Sequence, residues 1–295
     1  MSPSPILPFS HSPPLLVPSP LSHSALPCYS RTMPADQHLA FLELAQRAAQ
    51  RAGALIRTSV HQVKQVEHKS AIDLVTSIDR ESEQIIVDLI QEHYPEHSIV
   101  AEEGTEISHN HAEYQWIIDP VDGTTNFVHG LPYFCVSIAL TRGDTVVVGL
   151  VYDPMRDEAF TAMHGRGACL NGVSVTASDV EELDKALLAT GFPDDRRQRA
   201  DEYLALFKEF MKSAQDIRRG GSAALDLCYV ASGRLDGLWA QGLHAWDVAA
   251  GSLIVREAGG MSTDFRGQEL DVWGSEILCS NGRIHEEMVC ITRET

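Results

Sequence analysis

Trp116-Ile117-Ile118-Asp119-Pro120-Val121-Asp122-Gly123-Thr124-Thr125-Asn126-Phe127 is the stretch on which the reading turns. An apolar run ends in two carboxylates three residues apart, with Pro120 and Gly123 beside them. The pattern predicts a strand whose tip turns between the two acids, so that both side chains converge on one point. Converging like charges repel, and one carboxyl stays protonated unless a cation sits between them. A hard divalent ion such as Mg²⁺, which takes carboxylate, carbonyl and water oxygens, removes the conflict. Directly behind, Gly123-Thr124-Thr125 opens a helix or tight turn whose free backbone N–H groups suit a phosphate. Phosphoester chemistry needs such metal and anion sites side by side. The two Asp residues also suit an ordinary D-P and D-G turn, so the stretch calls for support from elsewhere.

Three further acidic segments supply it. Ile99-Val100-Ala101-Glu102-Glu103-Gly104 ends a strand in paired glutamates, and Lys69-Ser70-Ala71-Ile72-Asp73-Leu74-Val75-Thr76-Ser77-Ile78-Asp79 places an acid at a helix start. Ala245-Trp246-Asp247-Val248-Ala249-Ala250-Gly251 puts an Asp near another helix. Each has a plain structural reading: Asp79 and Asp247 complement helix dipoles, and Glu102 is a solvated loop acid. His244 and Trp246 flank Asp247 as a surface or core His and a core Trp, since one His beside an Asp is not a metal site. His109 and His111 read as solvated loop residues, and Glu103 as a structural or supporting acid.

Apolar periodicity gives the frame. Leu42, Ala45, Ala49, Ala52 and Ile56 recur at helical spacing over 36–59, and Ile85, Ile86, Leu89 and Ile90 form one stripe of a helix from Ser77 or Asp79 to His93. Strands are expected over 98–101, 115–118, 134–140, 145–152 and 159–162, with Arg142-Gly143-Asp144 as a hairpin loop and Asn171-Gly172 as another turn. Helices over 200–214, 222–232 and 246–258 then alternate with short strands over 235–240 and 276–279. This mixture implies an α+β chain of layered sheets and helices, in two packed halves of about 34–185 and 186–295.

Composition excludes several classes of function. With 41 Asp+Glu against 23 Lys+Arg the net charge is −18, which repels phosphate backbones, and no basic cluster overrides it, so nucleic acid is not the expected ligand. No run of about 18 apolar residues suggests a membrane span. The six cysteines form no C-x-x-C pair, which argues against zinc or a disulfide framework and for reduced core residues in the cytoplasm. Nine of the 14 prolines fall between Pro3 and Pro34, and Arg31 is the only charged residue before Asp36, so residues 1–33 read as a disordered Pro/Ser-rich leader. That composition leaves open a transit peptide, or translated upstream sequence with Met33 as the start. Residues 34–295 are the expected catalytic domain.

Together, the Asp-Leu-Val-Thr-x-x-Asp, Glu-Glu-Gly, Trp-Ile-Ile-Asp-Pro-x-Asp-Gly-Thr-Thr-Asn-Phe and Trp-Asp-x-Ala-Ala-Gly segments resemble the inositol monophosphatase family of magnesium-dependent, lithium-sensitive phosphatases. Asn171-Gly172, Gly221-Ser222-Ala223-Ala224 and Glu257-Ala258-Gly259-Gly260 are similar to further landmarks of that family. The resemblance implies an αβαβα sandwich, a homodimer, and two or three Mg²⁺ per site. By carry-over, Glu102, Asp119 and the Val121 carbonyl hold one metal, while Asp119, Asp122 and Asp247 hold a second. A pair formed by Thr124 and Asp79 orients the attacking water, with Glu102 also in the catalytic set. Asp122, Gly123, Thr124, Gly221, Ser222, Ala223 and Asp247 surround the phosphate and substrate. Lys69 matches a basic residue near the family's site, and equally suits a solvated loop. The chemistry that the resemblance implies uses water rather than a covalent nucleophile.

One departure bears on substrate. Inositol phosphatases commonly carry a Glu seven residues before the Trp-Asp aspartate, where it holds substrate hydroxyls; here that position is Ala240. Loss of a charged hydrogen-bond partner costs roughly 1.5 to 3 kcal/mol, about one to two decades in affinity. Gln241 follows, although strand alternation points it the other way. The expected activity is hydrolysis of myo-inositol 1-phosphate or a similar polyol phosphate. The alternatives are histidinol phosphate, a sugar bisphosphate or 3′-phosphoadenosine 5′-phosphate as substrate, or a non-catalytic member that binds metal or protein.

Overall fold

The computed structural model describes Tyr29 and residues 37–60, 66–68 and 74–294. Its helices are α1 (Gln37–Ser59), α2 (Ser77–His93), α3 (Thr124–His129), α4 (Ala200–Ser213), α5 (Ala223–Ala231), α6 (Ala245–Glu257) and α7 (His285–Glu294). A short hairpin pairs β1 (Val66–His68) with β2 (Leu74–Thr76). An eight-stranded sheet comprises β3 (Ser98–Ala101), β4 (Glu106–Ile107), β5 (Tyr114–Asp122), β6 (Cys135–Arg142), β7 (Thr145–Asp153), β8 (Glu158–Met163), β9 (Ala168–Leu170) and β10 (Val173–Val175), in the order β10-β9-β8-β7-β6-β5-β3-β4. A five-stranded sheet comprises β11 (Leu187–Thr190), β12 (Asp216–Arg218), β13 (Gly237–Gln241), β14 (Met261–Thr263) and β15 (Glu276–Ser280), in the order β12-β11-β13-β15-β14.

Three apolar layers separate these elements. Phe41, Ala45, Ile86 and Ile90 of α1 and α2 pack on Trp116, Ile118, Ile138 and Leu150, one face of the large sheet. Its other face, with Ile117, Ala139 and Val151, packs on α5 and α6 through Leu227, Ala249 and Leu253, and these helices in turn cover Ala189, Leu238 and Ile277 of the small sheet. Leu188, Trp239 and Leu278 on the far side of that sheet meet Phe210 of α4 and Met288 of α7. The result is the expected αβαβα stack. Alternation along each strand causes it: Trp116 and Ile118 face one helical layer while Ile117 faces the other.

Local signals hold in several places. Gly143-Asp144 joins Arg142 to Thr145 as a two-residue hairpin loop, and Asn171 and Gly172, at φ 49° and 76°, join β9 to β10. Of the expected leader, Tyr29 alone is described; it is buried, and its hydroxyl donates to the Thr161 carbonyl at 3.1 Å. Lys69 and Asp73 lie outside the described residues. One expectation needs correcting: Cys169 is disulfide-bonded, whereas Cys135, Cys228, Cys279 and Cys290 are free. The missing C-x-x-C spacing speaks only to close pairs, and a disulfide between distant positions leaves no such mark. No helix among the described residues is long and apolar enough to cross a membrane.

Candidate active site

Asp119 and Asp122 meet through a bulge rather than the expected turn. β5 runs on through Pro120 to Asp122, where Asp119 pairs with Ser137 and Asp122 with Cys135. Residues three apart on a regular strand face opposite sides, but here three steps on β5 match two on β6, and the extra residue restores both carboxylates to one side. A proline is tolerated because the bulge asks for no ladder N–H at that point. Gly123 follows at φ 102°; a Cβ there would sit 3.0 Å from the Tyr133 carbonyl oxygen, so only glycine makes this turn into α3.

The two distant aspartates each have a double task. Asp79 is the third residue of α2, and its carboxylate accepts the Thr76 N–H at 3.0 Å and the Thr76 hydroxyl, while the Thr76 hydroxyl oxygen accepts the Ile78 N–H at 3.1 Å. Asp247 holds the same place in α6 and accepts the His244 N–H at 2.7 Å. The helix-terminal reading of both residues is thus correct, yet neither is confined to it. Asp119, Asp122 and Asp247 bring one carboxylate oxygen each to within 4.8 Å of the others. Asp79 lies within 3.0 Å of the Thr124 hydroxyl, which is also 3.1 Å from the Val121 carbonyl; its one proton serves one of the two at a time.

Electrostatics makes this cluster a metal site in character. Burial, and then the charges of Glu102, Asp122 and Asp247, push the Asp119 carboxyl well above the usual carboxylate range, and Glu102 hydrogen-bonds to it. Burial raises Asp122 too, opposed by the Ser222 hydroxyl at 2.6 Å and the Ala224 N–H at 2.8 Å, both donating to its Oδ2. Asp79 is raised by burial and held down in part by Thr76 and Thr124. Neutralising so many buried acids takes protons or a cation, and an all-oxygen donor set fits a hard divalent ion. The residues present therefore fit the expected magnesium.

A cleft of about 470 Å³ reaches from Glu102, Asp122 and Asp247 to Thr190, Phe192, Leu238, Ala240, Gln241, Leu243, His244 and Trp246. An adjoining lobe of about 200 Å³ is lined by Asp119, Val121 and Gly123–Asn126 together with Arg196, Arg219 and Gly221. Glu102, Asp119, Asp122 and Asp247 line one lobe or the other, and Asp79 stands behind Thr124. Ser222 and Ala223 line the cleft while Ser222 and the first turn of α5 also serve Asp122. His109 and His111 are exposed, as expected. Contrary to simple alternation, Gln241 lines the cleft beside Ala240, because it is the last residue of β13.

Several working residues escaped the sequence reading. Glu83, buried on α2 one turn after Asp79, accepts the Glu103 N–H at 2.8 Å, the Thr105 N–H at 3.1 Å and the Thr105 hydroxyl at 2.6 Å, and so fastens the loop that carries Glu102. Asn126 donates to the Tyr133 carbonyl at 2.7 Å and the Gly220 carbonyl at 3.0 Å, binding the glycine turn before α5 to α3. The i to i+4 spacing of Asp79 and Glu83 was the available signal for the first.

Stacked layers closed around a carboxylate cluster and a glycine turn define a phosphatase-type αβαβα protein. The chain belongs to the inositol monophosphatase family, whose sequence pattern matches residues 38–295. It is 44% identical over 255 residues to the Nus factor SuhB of Escherichia coli (strain K12), spanning 86% of this chain and 96% of that protein. Among solved structures, the inositol monophosphatase of Anabaena (Nostoc) superposes with a TM-score of 0.81 at 40% identity, covering 88% of this chain and 98% of the other. The extragenic suppressor protein suhB of Bartonella henselae superposes with a TM-score of 0.83 at 37% identity, covering 86% and 99%.

Proposed function

We propose that the chain is a Mg²⁺-dependent phosphomonoesterase that hydrolyses myo-inositol 1-phosphate, or a related polyol phosphate, to the alcohol and inorganic phosphate. The observation that carries this reading is the approach of the Asp119, Asp122 and Asp247 carboxylates to within 4.8 Å of one another beside the Thr124–Asp79 pair. Glu102, Asp119, Asp122, Asp247 and the Val121 carbonyl would hold two or three Mg²⁺. Bound there, the ions lower the pKa of water and stabilise charge on phosphoryl oxygens.

The chain's own groups supply the rest. When the Thr124 hydroxyl donates to Asp79, its oxygen lone pairs are free to accept a hydrogen bond from a water and aim it. Asp79, raised by burial, is a better proton acceptor than a solvated Asp. The first-turn N–H groups of α3 behind Gly123, with Gly221 opposite, give the phosphate its seat. A side chain at Gly221 (φ 93°) would sit 2.9 Å from Asn126 Nδ2 and narrow that seat. The leaving alcohol occupies the lobe around Leu238, Ala240 and Leu243.

Ala240 offers no carboxylate to polyol hydroxyls, so histidinol phosphate, a sugar bisphosphate and 3′-phosphoadenosine 5′-phosphate belong in the same assay panel. Phosphate release with and without Mg²⁺ across that panel, with Asp122→Asn as control, tests the reading; release indifferent to both refutes it. The family resemblance adds a homodimer and inhibition by Li⁺ to the proposal. The relatives named Nus factor favour a second reading, a role apart from hydrolysis, which would survive in Asp122→Asn.

A further inference from the structure

Tyr133, in the loop between α3 and β6, stands where two glycine turns meet. Gly123 and Gly221 of these turns line the smaller lobe. The Tyr133 main chain serves the first turn: its carbonyl oxygen lies 3.0 Å from the place of a Cβ on Gly123 and accepts the Asn126 side-chain N–H at 2.7 Å. The same Asn126 nitrogen donates to the Gly220 carbonyl at 3.0 Å. The Tyr133 ring serves the second turn, for a Cβ on Gly220 would lie 2.5 Å from its Cε1 and 2.8 Å from Asp226 Oδ1. A Cβ on Gly123 would in turn lie 3.3 Å from the Gly221 carbonyl oxygen, so the two turns are in close contact with Tyr133 wedged beside both.

This wedge is itself held fast. The Tyr133 hydroxyl donates to Asp226 Oδ1 at 2.5 Å, and Asp226 is buried near the start of α5, under the second turn. Burial and the Asp226 charge push the hydroxyl above the usual tyrosine range, so it keeps its proton and remains the donor. Tyr229 meets the ring edge-on with centroids 5.8 Å apart, and the Arg156 guanidinium lies 5.8 Å from its centroid. Arg156 donates to the Pro132 carbonyl at 2.8 Å and to the buried Asp153 at 2.7 Å, which fixes the residue before Tyr133 as well. A side chain whose hydroxyl, ring and main chain are all restrained can set a distance between its neighbours.

Resting on the phosphomonoesterase reading above, we propose that Tyr133 is a positioning residue: locked by Asp226, it sets the separation of the Gly123 and Gly220–Gly221 turns and thereby the affinity of the lobe for the phosphoryl group. The acid cluster is anchored by other bonds. Asp122 accepts the Ser222 hydroxyl and the Ala224 N–H, Asp119 accepts the Val121 N–H at 2.9 Å, and Asp247 accepts the His244 N–H. Loosening the wedge should therefore weaken phosphate binding and spare the metal ions. Contacts to phosphate that are alike in the bound substrate and the transition state appear in KM rather than in kcat.

The test measures inorganic phosphate and Mg²⁺ binding calorimetrically on the full chain, with kcat and KM for the best ester of the panel in Mg²⁺. Tyr133→Phe keeps the ring and deletes the hydroxyl; it should weaken phosphate binding and raise KM by about three- to tenfold, with kcat and Mg²⁺ affinity within about twofold of wild type. Asp226→Ala should match it. Asp226→Asn, whose amide oxygen still accepts the hydroxyl, should bind phosphate within about twofold of wild type, and Tyr133→Phe/Asp226→Ala should be no worse than the weaker single variant. Lower thermal stability with unchanged phosphate affinity overturns the proposal, because the pair would then only hold the fold together. A matching loss of Mg²⁺ affinity overturns it too, since the pair would then support the acids, as does a wild type that binds no phosphate. Failure of the underlying enzyme reading looks different: phosphate binding that depends on Tyr133, with no Mg²⁺-dependent phosphate release from any ester of the panel.

Discussion

The Glu83 carboxylate accepts the backbone N–H of Glu103 at 2.8 Å, joining α2 to the loop that holds Glu102 against Asp119. The same helix presents Asp79 to Thr124, so one rigid element sets both the water-orienting pair and one wall of the acid cluster.

Glu83→Gln should therefore act twice. Its amide would put an N–H₂ group opposite at least one of the three donors that Glu83 now accepts, costing about 1 to 3 kcal/mol of stability. The loosened loop should also raise the Mg²⁺ concentration for half-maximal activity several-fold. Thermal unfolding and Mg²⁺ titration separate the two effects; a stability loss with unchanged Mg²⁺ requirement would mean that the loop keeps Glu102 in place unaided.

Ser222→Ala removes the 2.6 Å hydroxyl bond to Asp122 and the side-chain cap of α5, which accepts the Leu225 N–H at 3.3 Å. Loss of the cap costs about 1 kcal/mol. Without that donor the Asp122 carboxyl rises further in the metal-free protein, so Mg²⁺ must displace its proton and binds more weakly at pH 6 than at pH 8. Calorimetric Mg²⁺ affinities at the two pH values should diverge more in the variant than in wild type.

Thr124→Val keeps the side-chain volume and deletes the hydroxyl between Asp79 and the Val121 carbonyl. Turnover should fall by about a hundredfold or more, the usual contribution of a placed proton acceptor, while Thr124→Ser stays within several-fold of wild type. Both variants should bind Mg²⁺ as wild type does. Steady-state kcat for the three proteins decides it.

Asp226 gives a stability prediction with a defined sign. Burial raises its folded-state pKa to about 7 from 3.8, so the native protein keeps the proton longer than the unfolded chain. Its contribution is intact below about pH 4 and is lost as pH rises through about 7, reaching up to about 4 kcal/mol of relative destabilisation in alkali. Asp226→Asn, which never ionises, should gain stability relative to wild type between pH 5 and pH 8 in urea unfolding. A constant difference across that range would show that Asp226 is already ionised.

Much of this arrangement could be read from residue order. The helical period of Ile85, Ile86, Leu89 and Ile90 and the Gly143-Asp144 loop are local signals, and local signals fix local elements. Asp79 and Asp247 showed their capping role just as plainly. The bulge did not show, because Pro120 and Gly123 carry the same turn signature whether the chain reverses or merely slips by one residue. Short strands such as β9, β12 and β14 are held by their neighbours rather than by pattern, and three residues are too few for a period. Glu83 and Asn126 were missed because a polar residue reveals its partner only when sequence-distant loops arrive beside it.

The most direct measurement is calorimetric titration of Mg²⁺ into the metal-free protein in buffers of different ionisation enthalpy, for wild type and Asp119→Asn. Carboxyls pushed upward by burial and by one another must give up protons when the ion enters. Wild type should bind Mg²⁺ saturably with proton release that grows toward acid pH, and Asp119→Asn should lose most of both. Absence of saturable binding, or binding with no proton release that Asp119→Asn leaves unchanged, would contradict a divalent-ion site built from these acids.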